Sequence, residues 1–267
     1  MAEKQKIINL MTVQSNAIRV LVEALKDILT DVNLQITPEC IKLISMDGSK
    51  SAVIHLRLES TKFEKYECRT TFNAGINMSS LHKIIKSIKN NDIFQMYIYE
   101  EDVTKLHIEI ENNERKTRIH TILKLLDIDS DIIEIPNINF DSVITMPSND
   151  FQSYIRELSI ITNRIRISSK ENKTFFSGEG DFAETNIIVG DSNSKNDQSG
   201  NNESESDQSG KNASGLFNSK FLLLFTKSTN LCTTVEIYLK DQFPLILVYN
   251  VANLGKIKYC LVPLIEE

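Results

Sequence analysis

Residues 44–58 read ISMDGSKSAVIHLRL, a largely apolar run followed by a short polar break and a second run in which apolar and polar residues alternate from Ile54 to Leu58. Alternation of apolar and polar residues is typical of a strand with one buried face. The Asp, Gly and Ser residues of the break favour a tight turn. The stretch therefore predicts two neighbouring strands, Ile41–Met46 and Ala52–Leu58, with a turn between them.

The rest of the chain contains more segments of this kind. Alternating polarity or a high content of β-branched residues predicts strands at Ile93–Tyr99, Leu106–Ile110, Arg118–Leu125, Val143–Met146, Thr234–Leu239 and Leu245–Val251. Between two of them, Glu111–Asn112–Asn113–Glu114 is expected to form a hairpin turn. Strands are thus predicted to dominate the structure.

Four segments instead place their apolar residues at helical spacing. The first carries Ile18, Leu21, Val22, Leu25, Ile28 and Leu29. The second follows a start signal at Ser79–Ser80 and carries Leu81, Ile84, Ile85 and Ile88. The third begins near Ser148–Asp150, and the fourth runs from Asn218 to about Lys227.

The order of these elements repeats along the chain. Helices near residues 20 and 84 are matched by helices near residues 154 and 222, and NDIFQMYIY after the second helix has a counterpart in CTTVEIYLK after the fourth. This succession suggests two similar halves. We predict an α+β protein with an N-terminal domain at 1–126, a connector at 127–137 and a C-terminal domain at 138–267.

Residues 191–214 differ from the rest of the chain in composition. The segment DSNSKNDQSGNNESESDQSGKNAS contains one apolar residue, Ala213, and its five acids and two bases give half of the net charge of −6. Such a composition cannot offset its own ordering entropy, so a disordered insert is predicted. An acidic interaction segment is the alternative.

Composition also limits the possible location of the protein. The four cysteines, Cys40, Cys68, Cys232 and Cys260, are far apart and predict free thiols in a reducing compartment. No run of about 18 apolar residues is present, and residues 1–15 lack the apolar core of a signal peptide. We expect a soluble intracellular protein without a membrane partner.

No catalytic pattern is found in the sequence. His55, His82, His107 and His120 have no metal-ligand spacing, and the three in strand patterns are expected at the strand surface. Gly178 and Gly180 are not followed by the GK[ST] of a phosphate loop. The sequence predicts no enzyme activity, no metal and no cofactor.

Basic residues accompany all four predicted helices: Arg19, Lys26, Lys83, Lys86, Arg156, Lys220 and Lys227. Two interpretations remain open. The bases form an ordinary solvated face of each helix, or the four helices share one side of the molecule and present a positive surface to phosphates.

The stretch quoted first also resembles the proliferating cell nuclear antigen family, the eukaryotic sliding clamps. The resemblance continues in the same order through almost the whole chain, at VLVEALKDIL (Val20–Leu29), KLLDIDSDIIEIP (Lys124–Pro136), FTKST (Phe225–Thr229) and NLGKIKYCLVPLIEE (Asn253–Glu267). It implies the DNA clamp fold, in which the helices line the hole of a ring and the sheets form its outer wall. The seven bases would then face DNA phosphates, with Val20 standing where family members often have another base.

The resemblance further implies a surface for short hydrophobic client peptides. Its matching positions are Met46, Lys50, Val53, Ile133, Ile135, Pro136, Pro244, Cys260, Val262 and Pro263. Two of them depart from the family pattern, since Lys50 replaces a commonly smaller or aromatic-like polar residue and Cys260 replaces a common aromatic. The ordinary interpretation of Ile, Val and Pro at strand ends is that they belong to the core.

The resemblance also implies a head-to-tail homotrimer joined by edge strands. Thr117–Leu123 of one subunit would pair with Phe182–Val189 of the next, which places Thr117, Ile119, Thr121, Leu123, Phe182, Asn186 and Ile188 at the subunit interface. The insert begins directly after the second strand and is expected to replace a short family strand.

The implied partners are double-stranded DNA without sequence preference, further copies of the chain, DNA polymerase, a clamp loader and other peptide-bearing clients. The implied location is the nucleus, or the replication compartment of a virus. Three alternatives remain: a subunit of a checkpoint-type heterotrimeric clamp, a monomeric processivity factor, and an enzyme with an unrecognised site.

Overall fold

The computed structural model describes residues 5–129, 139–171, 173–190 and 212–265. The described first half contains two α-helices and a short 3₁₀ helix (Ser60–Lys62) among nine antiparallel strands. Its elements are β1 (Lys6–Thr12), α1 (Ser15–Leu25), β2 (Asp31–Ile36), β3 (Cys40–Met46), β4 (Ala52–Glu59), β5 (Lys65–Cys68), β6 (Phe72–Asn77), α2 (Met78–Ile85), β7 (Ile93–Tyr99), β8 (Asp102–Asn112) and β9 (Thr117–Lys124).

The second half repeats this order with one strand fewer among its described residues. Its elements are β10 (Ser142–Pro147), α3 (Ser148–Ile161), β11 (Arg164–Lys170), β12 (Lys173–Glu179), β13 (Glu184–Val189), β14 (Ala213–Asn218), α4 (Ser219–Phe225), β15 (Thr234–Leu239), β16 (Leu245–Val251) and β17 (Gly255–Leu261). The counterpart of β5 would fall between β13 and β14. Most of the insert predicted there, residues 191–211, lies outside the described residues.

The strands form three sheets. One has the order β5-β1-β7-β8-β9, the second β13-β12-β11-β14, and the third, with eight strands, β10-β15-β16-β17-β4-β3-β2-β6. The third sheet joins four strands of each half through β17 and β4, whose register runs from Gly255 opposite Leu58 to Leu261 opposite Ala52. The two halves are therefore connected by main-chain hydrogen bonding across the middle of a continuous sheet.

The alternation in the opening stretch determines which side of this sheet is buried. On β4, Ala52, Ile54, Leu56 and Leu58 are buried in the core, whereas Val53, His55 and Arg57 alternate with them on the outer face. The helices lie on the buried side, where Phe151, Leu222 and Phe225 are fully enclosed. The outer face is thus left free for other contacts.

Helix boundaries differ from the sequence prediction at three points. α2 begins two residues before the predicted start because Asn77, not Ser79, is the cap, accepting a hydrogen bond from the Ser80 N–H at 2.9 Å. α1 ends at Leu25, although Leu29 remains in the core after the following turn. α4 ends at Phe225 and continues as a 3₁₀ helix at Thr226–Leu231.

The predicted hairpin turn is displaced by two residues. Glu111 and Asn112 still pair with Arg118 and Thr117, so the turn follows Asn112, and Lys116 adopts a positive φ of 50° within it. No helix among the described residues has the length and apolar character needed to cross a bilayer.

Candidate nucleic-acid, client and subunit interfaces

The four helices form one continuous layer. α1 packs against α2 within the first half and against the 3₁₀ helix Thr226–Leu231 of the second half, while α3 packs against α4. The first six of the candidate bases lie on or directly beside these four helices, and Lys227 lies on the 3₁₀ helix. The layer therefore brings together basic residues that are up to 208 positions apart, from Arg19 to Lys227.

Asp27 joins basic residues of the two halves at this layer. Its carboxylate accepts hydrogen bonds from Lys26 at 3.0 Å and from Lys227 at 2.5 Å. Burial opposes the ionisation of Asp27, but the bonds to Lys227 and Lys26 lower its pKa on balance. Lys26 and Lys227 therefore lie side by side, although neither charge is wholly free.

The remaining bases differ in how far their charge is neutralised. Arg19 contacts Glu23 at 3.2 Å, one turn along α1. Within the described part of the chain, Lys83, Lys86, Arg156 and Lys220 are exposed and have no ion pair. Burial is the main cause of the lowered pKa of nearby His82, and the charges of Lys26 and Lys86 lower it further against the opposing effect of two acids. The layer can attract phosphates, but with less free charge than seven bases would give.

Asp47 shapes the turn that carries Met46 and Lys50, two of the residues predicted to contact client peptides. Its buried carboxylate accepts hydrogen bonds from the N–H groups of Ser49, Ser51 and Ala52 at 2.6–2.7 Å. The Ser49 hydroxyl donates another at 2.5 Å. Burial raises the pKa of Asp47, but these donors lower it by more. The lowered pKa indicates that the ionised carboxylate stabilises the turn. Lys50 adopts a positive φ of 58° within this turn.

Several predicted client residues form one row on the outer face of the eight-stranded sheet. Met46 lies opposite Val53, and Val53 lies opposite Cys260. Val262 is next to the turn, where its N–H donates to the Ser51 carbonyl at 3.1 Å. Burial raises the pKa of the Cys260 thiol to about 11, so this cysteine is a packing group and not a reactive thiolate.

Other predicted client residues are less closely placed. Pro244 begins the approach to β16, and Pro263 follows β17, both partly buried. Ile133, Ile135 and Pro136 lie outside the described residues. Two residues were not predicted: Ile246, which lies opposite Cys260 in the row, and Ile44, which lies two residues before Met46 on the same face of β3. Counting every second residue back from Met46 would have found Ile44. Phe243 is also exposed, but it precedes β16 and belongs to no strand pattern.

The start of the predicted connector is fixed to the end of the same sheet. The Leu126 N–H donates to the Gly75 carbonyl at 2.8 Å on the outermost strand, β6. A Cβ at Gly75 would lie 2.1 Å from the Leu126 carbonyl oxygen, so only glycine permits this approach. The Asn33 side chain donates to the Ile128 carbonyl at 2.9 Å. The chain therefore leaves β9 and enters the connector along the first-half end of the sheet.

The two strands predicted to join subunits are both at sheet edges. β9 ends one sheet and β13 ends another. Ile119 is 51% exposed, Ile188 57% and Phe182 75%, while Leu123 turns towards the core. Ile122, which the sequence analysis omitted, is also exposed on β9. Exposed apolar side chains on an unpaired edge favour addition of another strand.

Two of the four histidines, His107 and His120, contact each other. His107 on β8 and His120 on β9 face each other with Nδ1 and Nε2 at 3.0 Å, and their rings stack. Tyr97 stacks on His107. Because the two residues are on different strands, their sequence spacing gave no sign of this contact. In the described ranges, no group of three or more His, Cys, Asp or Glu side chains is arranged to hold a metal.

Comparison with known proteins agrees with this architecture. The N-terminal domain family of proliferating cell nuclear antigen matches residues 7–132, and the C-terminal domain family matches residues 134–264. A similar protein is the probable DNA polymerase sliding clamp 1 of Paramecium bursaria Chlorella virus 1, which is 33% identical over 270 residues and covers all of both chains. The two domain matches cover nearly the whole chain and agree with its two-fold repeat of elements. The chain belongs to the proliferating cell nuclear antigen family.

Proposed function

We propose that this chain acts as a DNA sliding clamp and polymerase processivity factor by closing, with two further copies, into a ring around duplex DNA. The helix layer lines the bore and the sheets form the outer wall. The chain itself carries out no catalytic step. It holds polymerase and other replication and repair enzymes at the DNA through their short hydrophobic peptides.

The observation that carries this proposal is the junction between the two halves. Strand β17 ends the second half, and it pairs with β4 of the first half. By order in the chain, β9 is the first-half counterpart of β17, and β13 is the second-half counterpart of β4. Among the described residues, both counterparts are sheet edges without a strand on their outer side. Pairing β9 of one subunit with β13 of the next repeats the internal junction, and repetition of one heterologous contact can close a ring.

The repeat also predicts the register of that contact. Asn77 and Asn218 cap equivalent helices. Strand pairing leads from Asn77 through β2 and β3 to β4, and from Asn218 through β11 and β12 to β13. When these two paths are aligned, Ile187 is the counterpart of Leu56. Strand pairing likewise leads from β7 through β8 to β9, and from the matching strand β15 through β16 to β17. When these two paths are aligned, Ile119 is the counterpart of Ile257.

Within the chain, Ile257 lies opposite Leu56. We therefore expect Ile119 of one subunit to lie opposite Ile187 of its neighbour. The same register places Thr121 opposite Thr185 and Leu123 opposite Ala183. It brings the predicted interface residues Thr117, Asn186 and Ile188 into one strand pair, with Phe182 just beyond its end.

Weak phosphate contacts are sufficient in such a ring. A closed ring stays on DNA because of its topology, so the bases need only attract the duplex without fixing the protein to one sequence. The partial neutralisation of Lys26 and Lys227 by Asp27 supports this kind of loose contact.

Three equivalent outer surfaces would raise the effective concentration of clients at the DNA. A clamp loader is needed to open the ring, and no cofactor is assigned to the chain. The proposed site of action is the nucleus or a viral replication compartment, and the similarity to a viral sliding clamp supports both.

The oligomeric state gives a direct test. The chain mass is 30.4 kDa, so light scattering on the size-exclusion peak should give three times that value, about 91 kDa. A monomeric mass that persists at high protein concentration would exclude the homotrimer. It would favour a subunit of a heterotrimeric clamp or a monomeric processivity factor.

A further inference from the structure

We propose that a basic cleft beside the apolar client row binds acidic side chains of the same client peptides. The cleft has a volume of about 430 Å³ and lies where β4 and β17 join the two halves. This inference rests on the proposed function only for the identity of the partner, a client peptide. The cleft and its charge are properties of the described chain.

The outer face of the sheet changes from apolar to basic over four residues of strand. Each step of two residues along β4 and β17 brings one cross-strand row to this face. The apolar row contains Met46, Val53, Cys260 and Ile246. The next row contains Ile44, His55, Lys258 and Val248, and the third contains Lys42, Arg57, Lys256 and Asn250.

Positive charge exceeds negative charge in the cleft. Its lining includes the basic residues Arg57, Lys62, Lys256 and Lys258 and a single acid, Glu59. Glu59 is held by Arg57 in a two-pronged contact at 2.7 and 3.2 Å. Within the described residues, Lys62 and Lys258 have no ion-pair partner, and Lys256 is 3.7 Å from Glu236. The excess is notable in a chain whose net charge is −6.

His55 lines the cleft and responds to the charges around it. Burial lowers its pKa, and the charges of Lys258, Arg57 and Lys42 lower it further. Burial is the larger cause, but cations that add to the lowering of an imidazole pKa would also stabilise an anion placed beside them.

An acidic peptide suits this cleft better than a nucleic acid. Proteins that hold single strands usually combine bases with aromatic rings on which nucleobases stack. The lining contains no Phe, Tyr or Trp side chain. The cleft also lies on the opposite face of the sheet from the helix layer, which is the surface proposed to face DNA.

The spacing defines the peptide further. At about 3.3 Å per residue, His55 and Lys258 lie about 7 Å from the Val53–Cys260 row, and Arg57 and Lys256 about 13 Å from it. An extended client with an apolar anchor in the row would therefore place Asp or Glu residues two to four positions from that anchor in the cleft.

The first experiment uses acetylated hexaglutamate as the probe, with hexaglutamine as the neutral control. The imidazole resonances of His55 are followed by NMR in the full-length protein. We expect hexaglutamate to shift these resonances saturably and to raise the pKa of His55, with both effects lost at high salt. The double variant Lys256→Gln/Lys258→Gln should lose the response, whereas the exposed-lysine control Lys170→Gln should keep it.

The second experiment links the same acids through two glycines to the apolar tripeptide Phe-Leu-Phe. In the wild-type protein this peptide should bind about tenfold more tightly than its glutamine analogue, because several exposed ion pairs of modest strength add together. The double variant should bind the two peptides equally. Val53→Gln, which removes the apolar side chain without adding charge, should weaken both anchored peptides and leave the hexaglutamate response intact, so failure of the client row and failure of the cleft give different results.

Two outcomes would overturn the inference. One is the absence of a His55 response to hexaglutamate in the wild-type protein, or an equal response in the double variant. The other is displacement of hexaglutamate by an oligomer of twelve thymidylates with higher affinity, which would make the cleft a nucleic-acid site.

Discussion

At the scale of single residues, Asp47 shows how one side chain supports a functional surface. Its carboxylate replaces several main-chain contacts that the turn after β3 cannot make for itself, and it does so while almost fully buried. The turn carries Met46 and Lys50, which belong to the proposed client surface. The stability of this turn and the shape of the client surface are therefore coupled through one ionised group.

We expect Asp47→Ala to lower the free energy of unfolding by about 2 kcal/mol at neutral pH, because it leaves buried N–H donors without an acceptor. Denaturant unfolding measures this change. Ser49→Ala is the matched control, since it removes one hydroxyl donor and leaves the carboxylate with its three N–H partners. An equal loss in the two variants would contradict this role of the carboxylate.

The same residue predicts a pH dependence. The pKa of Asp47 is lower in the folded chain than its ordinary value, so its ionisation contributes stability above about pH 4 that is lost as the pH falls through the folded pKa. The difference in unfolding free energy between wild type and Asp47→Asn should therefore shrink in acid. A difference that stays constant from pH 7 to pH 2.5 would exclude this coupling.

The bases of the helix layer give a prediction about DNA. Lys83 and Lys86 lack ion pairs within the described residues, so their charge is available to phosphates. Replacing both with Gln should reduce the slope of log affinity against log salt for a short duplex by up to about 1.8, from about 0.9 per phosphate contact. Fluorescence anisotropy measures the slope. Lys170→Gln/Lys173→Gln, remote from the helix layer, serves as the control, and an equal change there would argue against a specific surface.

Single-residue detail was only partly predictable from the sequence. The Arg19–Glu23 pair lies one helical turn apart and can be inferred from spacing. The contact between Asp27 and Lys227 crosses from one half of the chain to the other, and the stacking of His107 with His120 depends on strand register. No local pattern contains that information.

At the scale of elements, the edge strands β9 and β13 matter most. Both carry exposed apolar residues, and both occupy positions whose counterparts in the other half are already paired. Monomeric proteins usually protect such edges with charge, proline or a covering segment. Here the internal β4–β17 junction supplies a template for the pairing that would cover them.

The derived register can be tested by cross-linking. In the double variant Ile119→Cys/Ile187→Cys, oxidation should produce a covalent trimer, because each new cysteine lies opposite its partner in the neighbouring subunit. The control Ile119→Cys/Asn186→Cys places the cysteines out of register and on opposite faces of the strand pair. Efficient cross-linking of the control, or none in the first variant, would show that the register is wrong.

Sequence patterns predicted elements best where one face is buried and the other exposed. β7, β15 and β16 have the predicted boundaries, because alternation or an unbroken apolar run marks both ends. The ends of α1 and α4 were less predictable, since apolar residues such as Leu29 and Leu231 stay in the core after the α-helix has ended. Burial continues there while the backbone conformation changes.

At the scale of the whole molecule, the duplication supports the proposed ring, because the junction between the two halves can be repeated between subunits. The sequence showed the repeat in the order of its helices and strands. It did not show that four strands of each half would join in one sheet, because that depends on pairing between residues about 200 positions apart. The same sheet places the client row and the basic cleft side by side across the join.

The central claim is that the ring holds DNA by enclosing it, and retention on circular DNA tests this most directly. Protein placed on a nicked circular plasmid by a clamp loader should remain bound in high salt, because the contacts that salt weakens are not what retains it. Cutting the plasmid once should release the protein, and blocking both new ends should restore retention. Equal, salt-sensitive loss from circular and linear DNA would contradict enclosure and leave only surface binding.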